Sequence, residues 1–282
     1  MDATVRAGSV VVGVDSSVDG RRAVRWALDH AMRTYDPVHF VHVEVDVADG
    51  GATARAGEQL LQNALDEADL LPGVQATADR VTTSGAGIGP VLVRVAEDAS
   101  VLVVGARGHG TVAGTLMGSI SQYAARHATC PVLVARAVAD PRAGRVVAGV
   151  DDSPVARAVL EHAFAHADAH GLELTVLHAW QPTGLGYRAL ALTPRTAALG
   201  EQLTAETRVL ADRLDEWTAK YPEVVVTPEV RVGRAAAALA TASNHAALVV
   251  VGTRDRSGPG HAVGSVSHAV LREATCPVLV IR

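Results

Sequence analysis

Residues 101–121, VLVVGARGHGTVAGTLMGSIS, decide how the rest of the chain is read. Val101 to Val104 form a short continuous apolar run, the pattern of a parallel strand buried on both faces. Gly105 closes the run, and Gly108, Gly110, Gly114 and Gly118 follow before Ser119. A backbone free of Cβ atoms turns its N–H groups inward and builds a concave anion site. SISQYAARHA, from Ser119 onward, has the pattern of a helix whose free N-terminal amides face the same hollow. The stretch therefore reads as strand, phosphate loop and helix. Two common nucleotide signatures are missing. No lysine follows Gly118, which removes GxxxxGK[ST], and Ala113 stands where GxGxxG needs its last glycine. What is present is Gly105-x2-Gly108-x9-Gly118-Ser119.

The chain is written twice. SVVVGVDSSVDGRRAVRWALDHA, from Ser9, aligns with RVVAGVDDSPVARAVLEHAFAHA, from Arg145, at an offset of 136 that also carries His42 onto His178. VLVVGARG aligns with LVVVGTRD, placing Gly105 on Gly252, and ATCPVLVAR aligns with ATCPVLVIR, placing Cys130 on Cys276. A length of 282 residues suits two domains. Their expected bounds are 1–137 and 145–282, with AVADPRAGR as the exposed join.

Composition narrows the class. At 49% hydrophobic and 20% charged the chain buries a real core. Aromatic residues make up only 3%, so Val, Ala and Leu must fill it. A net charge of -5 argues against nucleic-acid binding. No apolar run approaches the length of a membrane span, and the opening residues lack a signal-peptide pattern. Two cysteines, one per half, are too few for a disulfide scaffold and suit a reducing cytoplasm.

Within each half, apolar runs alternate with helical patterns. Strands are expected at 10–14, 38–43, 75–81, 101–104 and 131–135, and again at 146–150, 173–178, 224–232, 248–251 and 277–281. Helices are expected through Ala23 and Ala31, through Leu60 and Leu65 after a polar loop at 46–57, from Val91, and from Ile120. In the second half they centre on Ala158, Leu210, Ala238 and Ala269. This alternation implies a parallel sheet covered on both faces, with ligands bound beyond the carboxyl ends of the strands where strand order reverses.

The openings VGVDSS and AGVDDS, strands ending in His42-Val43 and His178-Ala179, the glycine loop and the closing CPVLV together resemble the universal stress protein family, in its tandem ATP-binding form. The resemblance covers nearly the whole chain. It implies two Rossmann-like, adenine nucleotide alpha hydrolase-like α/β domains, each a doubly wound five-stranded parallel sheet of order 3-2-1-4-5. It further implies that ATP, with Mg2+ or Mn2+, is bound for a regulatory role in stress or dormancy. Asp15 would hold ribose or adenine, Gly13 and Val14 would line the base, and the Val43 main chain would meet adenine. Val104, Gly105 and Gly108 would pass under ribose and phosphates, and Gly118, Ser119 and Ile120 would hold the phosphates, with Arg107 either adding charge there or standing as a surface arginine. The second-half counterparts are Gly149, Asp151, Ala179, Gly252, Gly264, Ser265 and Val266. There Asp255 replaces the second glycine and Pro259 enters a loop one residue shorter, so the N-terminal site is expected to bind more tightly. Arg254 and Arg256 partly offset that aspartate. The family's habit implies pairing of the halves within the chain and a homodimer of chains.

Enzyme readings find less support. GxSxG, HExxH, SGGxDS and a HIGH-type element are all absent. Slow ATP hydrolysis and a nucleotide-free interaction module stand as the alternatives. His42 and His178 read as structural. His162, His166 and His170, spaced i, i+4, i+8, can share one helix face; two such imidazoles can ligate zinc, but without a carboxylate to complete HExxH they read rather as a packed or solvated face. Cys130 and Cys276 read as small buried residues.

Overall fold

The continuous apolar runs become central strands because both of their faces are covered. In the computed structural model, which describes residues 5–46, 52–85, 87–108, 117–140, 142–180, 197–253 and 264–282, β1 (Val10–Gly13) lies between β2 (Val38–Val45) and β4 (Val101–Gly105), parallel to both. Val10 and Val12 face a core that contains Ala23 and Ala27 of α1 (Val18–Thr34) and Leu61 and Ala64 of α2 (Ala52–Asp69). Val11 faces the opposite core, with Val91 and Leu92 of α3 (Ile88–Val95) and Ala124 of α4 (Ser119–His127). Alternate residues of one strand thus enter two different apolar layers, so no polar position interrupts the run. β3 (Ala76–Thr83) and β5 (Val132–Ala135) complete the first half.

The second half repeats the plan with β6 (Arg145–Val150), α5 (Ala156–His170), β7 (Glu173–Trp180), α6 (Ala197–Asp212), α7 (Asp215–Lys220), β8 (Val226–Val232), α8 (Ala235–Ala242), β9 (Leu248–Gly252), α9 (Ser265–Glu273) and β10 (Val278–Ile281). All ten strands join one sheet, ordered β3-β2-β1-β4-β5-β10-β9-β6-β7-β8. Each half therefore has the order 3-2-1-4-5 in its own numbering. The halves meet through antiparallel β5 and β10, with Leu133 opposite Leu279. The fifth-strand edge is covered within the chain. The outer edges fall to β3, which carries Asp79 and Arg80, and β8, which carries Pro228, Glu229 and Arg231. Charge and proline both oppose further strand addition.

Three elements differ from the sequence reading. α2 begins at Ala52, inside the expected loop, and so includes Gly57. A Cβ there would stand 2.4 Å from His42 Cδ2, so the glycine lets α2 lie against that ring rather than ending a loop. α3 starts at Ile88, before the expected Val91, with Pro90 in its first turn, where a missing N–H costs nothing. α7 was not anticipated. Six residues are too few to show a period; the helix is anchored by buried Trp217, whose ring stacks 5.8 Å from Phe164.

Two arginines bind the halves reciprocally. Arg136, just after β5, donates from Nη1 to the Ala274 carbonyl (2.7 Å) and from Nη2 to the Leu271 carbonyl (2.6 Å), at the end of α9. Arg282, its repeat counterpart, donates to the Ala125 carbonyl in the last turn of α4. Each cation meets the negative end of a helix whose last carbonyls lack helical partners. Replacing Arg136 by Met keeps the apolar stem and removes both hydrogen bonds. We expect a loss of about 1–3 kcal/mol in calorimetric stability, against no change for the exposed Arg142→Met; an unaltered melting temperature for Arg136→Met would contradict this role.

Candidate functional site

After β1 the chain enters α1 on one face of the sheet, and after β4 it leads to α4 on the other. The two connections diverge and leave a crevice at the carboxyl ends of these strands. That crevice is a cavity of about 540 Å³, the size range of small-molecule sites.

Gly105 lines it at the end of β4. A Cβ there would stand 2.7 Å from the Asp19 carbonyl carbon and 2.8 Å from the Gly20 nitrogen, both backbone atoms of the first turn of α1. Only glycine allows this approach. Asp15 sits on the adjoining wall, where its Oδ1 accepts the Ser17 N–H at 3.0 Å and lies 2.5 Å from Ser17 Oγ. Ser17 is the N-cap of α1, accepting the Gly20 N–H at 2.9 Å. The helix cap and the carboxylate are thereby fixed together. The other carboxylate oxygen, Oδ2, would lie 2.9 Å from a Cβ on Gly108, so Gly108 also has to be small.

The opposite wall is the start of α4. Gly118, its N-cap, is extended and offers no capping side chain. Helix geometry leaves the N–H groups of Ser119, Ile120 and Ser121 without helical acceptors. Gly118 itself differs from expectation: its N–H donates to the Ala106 carbonyl at 2.8 Å. That bond ties the helix entry to β4. Ser121 Oγ strengthens the tie, lying 3.0 Å from the Gly118 carbonyl and 3.2 Å from the Ala106 carbonyl. Gly110 and Gly114 lie outside the described residues.

Val14, Val43, Val104, Leu60, Ile88, Leu92 and Met117 make the remaining lining largely apolar. Leu60, Ile88, Leu92 and Met117 were not singled out from the sequence, because as apolar helix or loop residues they look like core. His42 Nδ1 lies 2.8 Å from the Val14 carbonyl. A carbonyl only accepts, so Nδ1 carries the proton and pins β2 to the end of β1. His178 repeats this with the Val150 carbonyl at 3.1 Å.

Arg107, mostly exposed, does not line the cavity; its Nε lies 3.4 Å from Asp19 Oδ2. Asp19 is buried and also takes Arg22 Nη1 at 2.6 Å. A carboxylate removed from water needs such partners.

The second half has its own cavity, of about 650 Å³, lined by Gly149, Asp151, Ala179, Gly252, Gly264, Ser265 and Val266. Asp151 Oδ1 accepts from the Ser153 N–H and hydroxyl, as Asp15 does from Ser17. The floor is different. A Cβ on Gly252 would lie 2.4 Å from Val155 Cγ1, so a side chain fills the space taken by backbone in the first half. Arg234 and Glu273 also line this cavity, neither singled out from the sequence. Arg254, Asp255, Arg256 and Pro259 lie outside the described residues. Burial raises both cysteine thiols, Cys276 to about 12, and holds them protonated.

The architecture is that of a duplicated, doubly wound α/β protein with a cavity at the switch point of each half. A family model described as "Universal stress protein family" matches residues 7–136 and again 143–282. The chain is 33% identical over 292 residues to "Universal stress protein Rv2623" of Mycobacterium tuberculosis, covering 97% of this chain and 96% of that one. It is 36% identical over 301 residues to "Universal stress protein Rv2005c" of the same organism, covering 97% and 96%. The crystal structure of a universal stress protein from Archaeoglobus fulgidus shares the fold, with a TM-score of 0.71 over 99% of both chains at 17% identity. The chain belongs to the universal stress protein family.

Gly105 and Gly118 should separate on substitution. Gly105→Ala forces backbone apart and is expected to cost about 1–3 kcal/mol. A Cβ on Gly118 meets nothing nearer than 3.4 Å, so Gly118→Ala should stay within about 1 kcal/mol, the cost of a poorer cap. Chemical denaturation of the two variants measures the difference; equal losses would contradict the geometry.

Proposed function

We propose that this chain is an ATP-binding regulatory protein of stress or dormancy responses, with the N-terminal cavity as its principal site. One observation carries the reading: the unpartnered first turn of α4 and the Asp15 carboxylate open on opposite walls of one cavity whose remaining lining is mostly apolar. A nucleotide has these three parts. The amides of Ser119 and Ile120 and the Ser119 hydroxyl receive phosphate oxygens at the positive end of the helix. Asp15 accepts from ribose hydroxyls. Adenine lies among Val14, Val43, Ile88 and Leu92, with main-chain groups of Val14 and Val43 at its edge.

Glycine at 105 lets β4 close on the first turn of α1, and glycine at 108 leaves the Asp15 carboxylate unobstructed at the cavity wall. A divalent ion, Mg2+ or Mn2+, fits less closely. Asp15 is the only carboxylate among the described residues of the cavity, so the ion would be held chiefly by the phosphates and water. The second cavity binds more weakly in this reading, because Val155 occupies its floor and Asp255 brings a negative charge to its loop. Residues 1–137 and 145–282 are then two ligand-binding units of unequal affinity. A cytoplasmic location and a homodimer belong to the same reading; with charged outer strands, two chains would meet on helix faces.

ATP titrations followed by calorimetry test this. Asp15→Asn keeps the capping turn and removes the charge, and should raise Kd about 10-fold, the value of one hydrogen bond to an ionised group. Asp151→Asn should change overall binding much less. Purified protein, denatured and examined by mass spectrometry, should release adenine nucleotide. No released nucleotide and no heat with ATP would overturn the proposal; equal effects of the two substitutions would overturn the asymmetry.

A further inference from the structure

A second cluster of functional groups lies where α1 of the first half packs on α5 of the second. His30, His166 and His170 meet there, and none of them lines either cavity. His30 and His166 hold the same place in the two repeats, at the offset of 136, so the pairing of the halves brings them face to face. Their ring centroids are 5.8 Å apart and their planes 14° from parallel. His170 lies one turn beyond His166 on α5, and its repeat counterpart is Thr34. The third histidine therefore belongs to the second half alone.

His166-x3-His170 is a spacing at which a helix presents two imidazoles on one face. His30 supplies a third from the other half, and one nitrogen of each ring lies within 4.8 Å of the others. His30 Nδ1 and His170 Nε2 are 3.4 Å apart. That is the edge of a tetrahedron whose corners lie about 2.0–2.1 Å from its centre, the length of a Zn–N bond.

The outward nitrogens give an independent indication. His30 Nε2 is 3.7 Å from Asp36 Oδ2, and His170 Nδ1 is 3.4 Å from Asp29 Oδ2. Metal-ligating imidazoles commonly direct their second N–H to a carboxylate, which fixes the tautomer and leaves a lone pair facing the ion. His30 Nδ1 and His170 Nε2, 3.4 Å apart, share one proton as a hydrogen bond in the metal-free chain; moving the protons to the outward nitrogens turns both lone pairs toward an ion. Asp29 also pairs with Arg33, at 3.3 Å. Burial holds His166 well below its ordinary value and His170 at about 4, so both rings are neutral near pH 7. Metal binding requires the neutral ring.

We propose that His30, His166 and His170 form a three-histidine site for a divalent transition-metal ion, with Zn2+ the ion its ligands suit, and that the ion fastens the two halves together. Rotation of the His166 ring out of its stack, 4.0 Å from His170, completes the third corner. Water takes the fourth position. Only the paired arrangement of halves assembles the ligands, so bound metal stabilises that pairing by mass action. The site is independent of nucleotide binding.

The test uses the full chain, stripped with EDTA. Co2+ titration should give the visible bands of a tetrahedral nitrogen site, displaced by one equivalent of Zn2+, and the melting temperature should rise with Zn2+ concentration. His30→Gln and His170→Gln should each weaken Zn2+ binding by well over about 10-fold, and Asp29→Asn by about 10-fold, the usual cost of losing an outer partner. The exposed His127→Gln should change nothing. Circular dichroism and melting in EDTA verify that each variant is folded. Absence of a tetrahedral Co2+ spectrum would overturn the proposal. So would unchanged Zn2+ affinity and stoichiometry in a folded His30→Gln/His170→Gln chain, which would leave the three rings as a hydrogen-bonded, stacked contact only.

Discussion

The cavity end of the first half depends on how closely β4 approaches the first turn of α1. Gly105 has no room for a single added carbon, because the Asp19 and Gly20 backbone lies within 2.8 Å of where it would stand. That approach fixes the cap of α1, and the cap, Ser17, holds the Asp15 carboxylate. On the other side of the same strand end, Ala106 receives the Gly118 N–H and sets where α4 begins. One strand terminus thus positions both walls of the cavity. The connections leave on opposite faces of a parallel sheet, so the space between them stays open.

Duplication gives the chain a second copy of this arrangement and also its cohesion. β5 and β10 meet antiparallel, each covering the edge the other would expose. Arg136 and Arg282 reach across to the helix ends of the opposite half. The same symmetry places His30 against His166. It is broken at the cavities: backbone lines the floor near Gly105, whereas Val155 lies under Gly252. Two sites of common origin have therefore become chemically unequal.

Most of the fold was legible because strands buried on both faces appear as uninterrupted Val and Leu runs, and because the repeat supplied each reading twice. Gly105, Gly108, Gly118 and Ser119 were legible as a spacing, and Asp15 by its place after the first strand. Less so were features that depend on how distant segments meet. Arg107 could be read either as a phosphate contact or as a surface arginine, and the sequence does not show that buried Asp19 lies beside it. Gly57 looked like a loop residue, since a sequence does not show the His42 ring that excludes any larger side chain. Arg234 entered the second cavity from a loop before a helix of nearly uniform alanines, a segment without a readable face. The histidines of α5 showed a helical spacing, but their partner His30 lies 136 residues earlier than His166 and joins them only through the pairing of halves.

The most direct measurement is the response of individual backbone amides to ATP, followed by two-dimensional NMR of labelled protein. The account predicts that the Ser119 and Ile120 amides shift most and saturate first, with Gly264, Ser265 and Val266 responding at higher ATP. Unmoved Ser119 and Ile120 amides in excess ATP, or shifts confined to the second half, would contradict it.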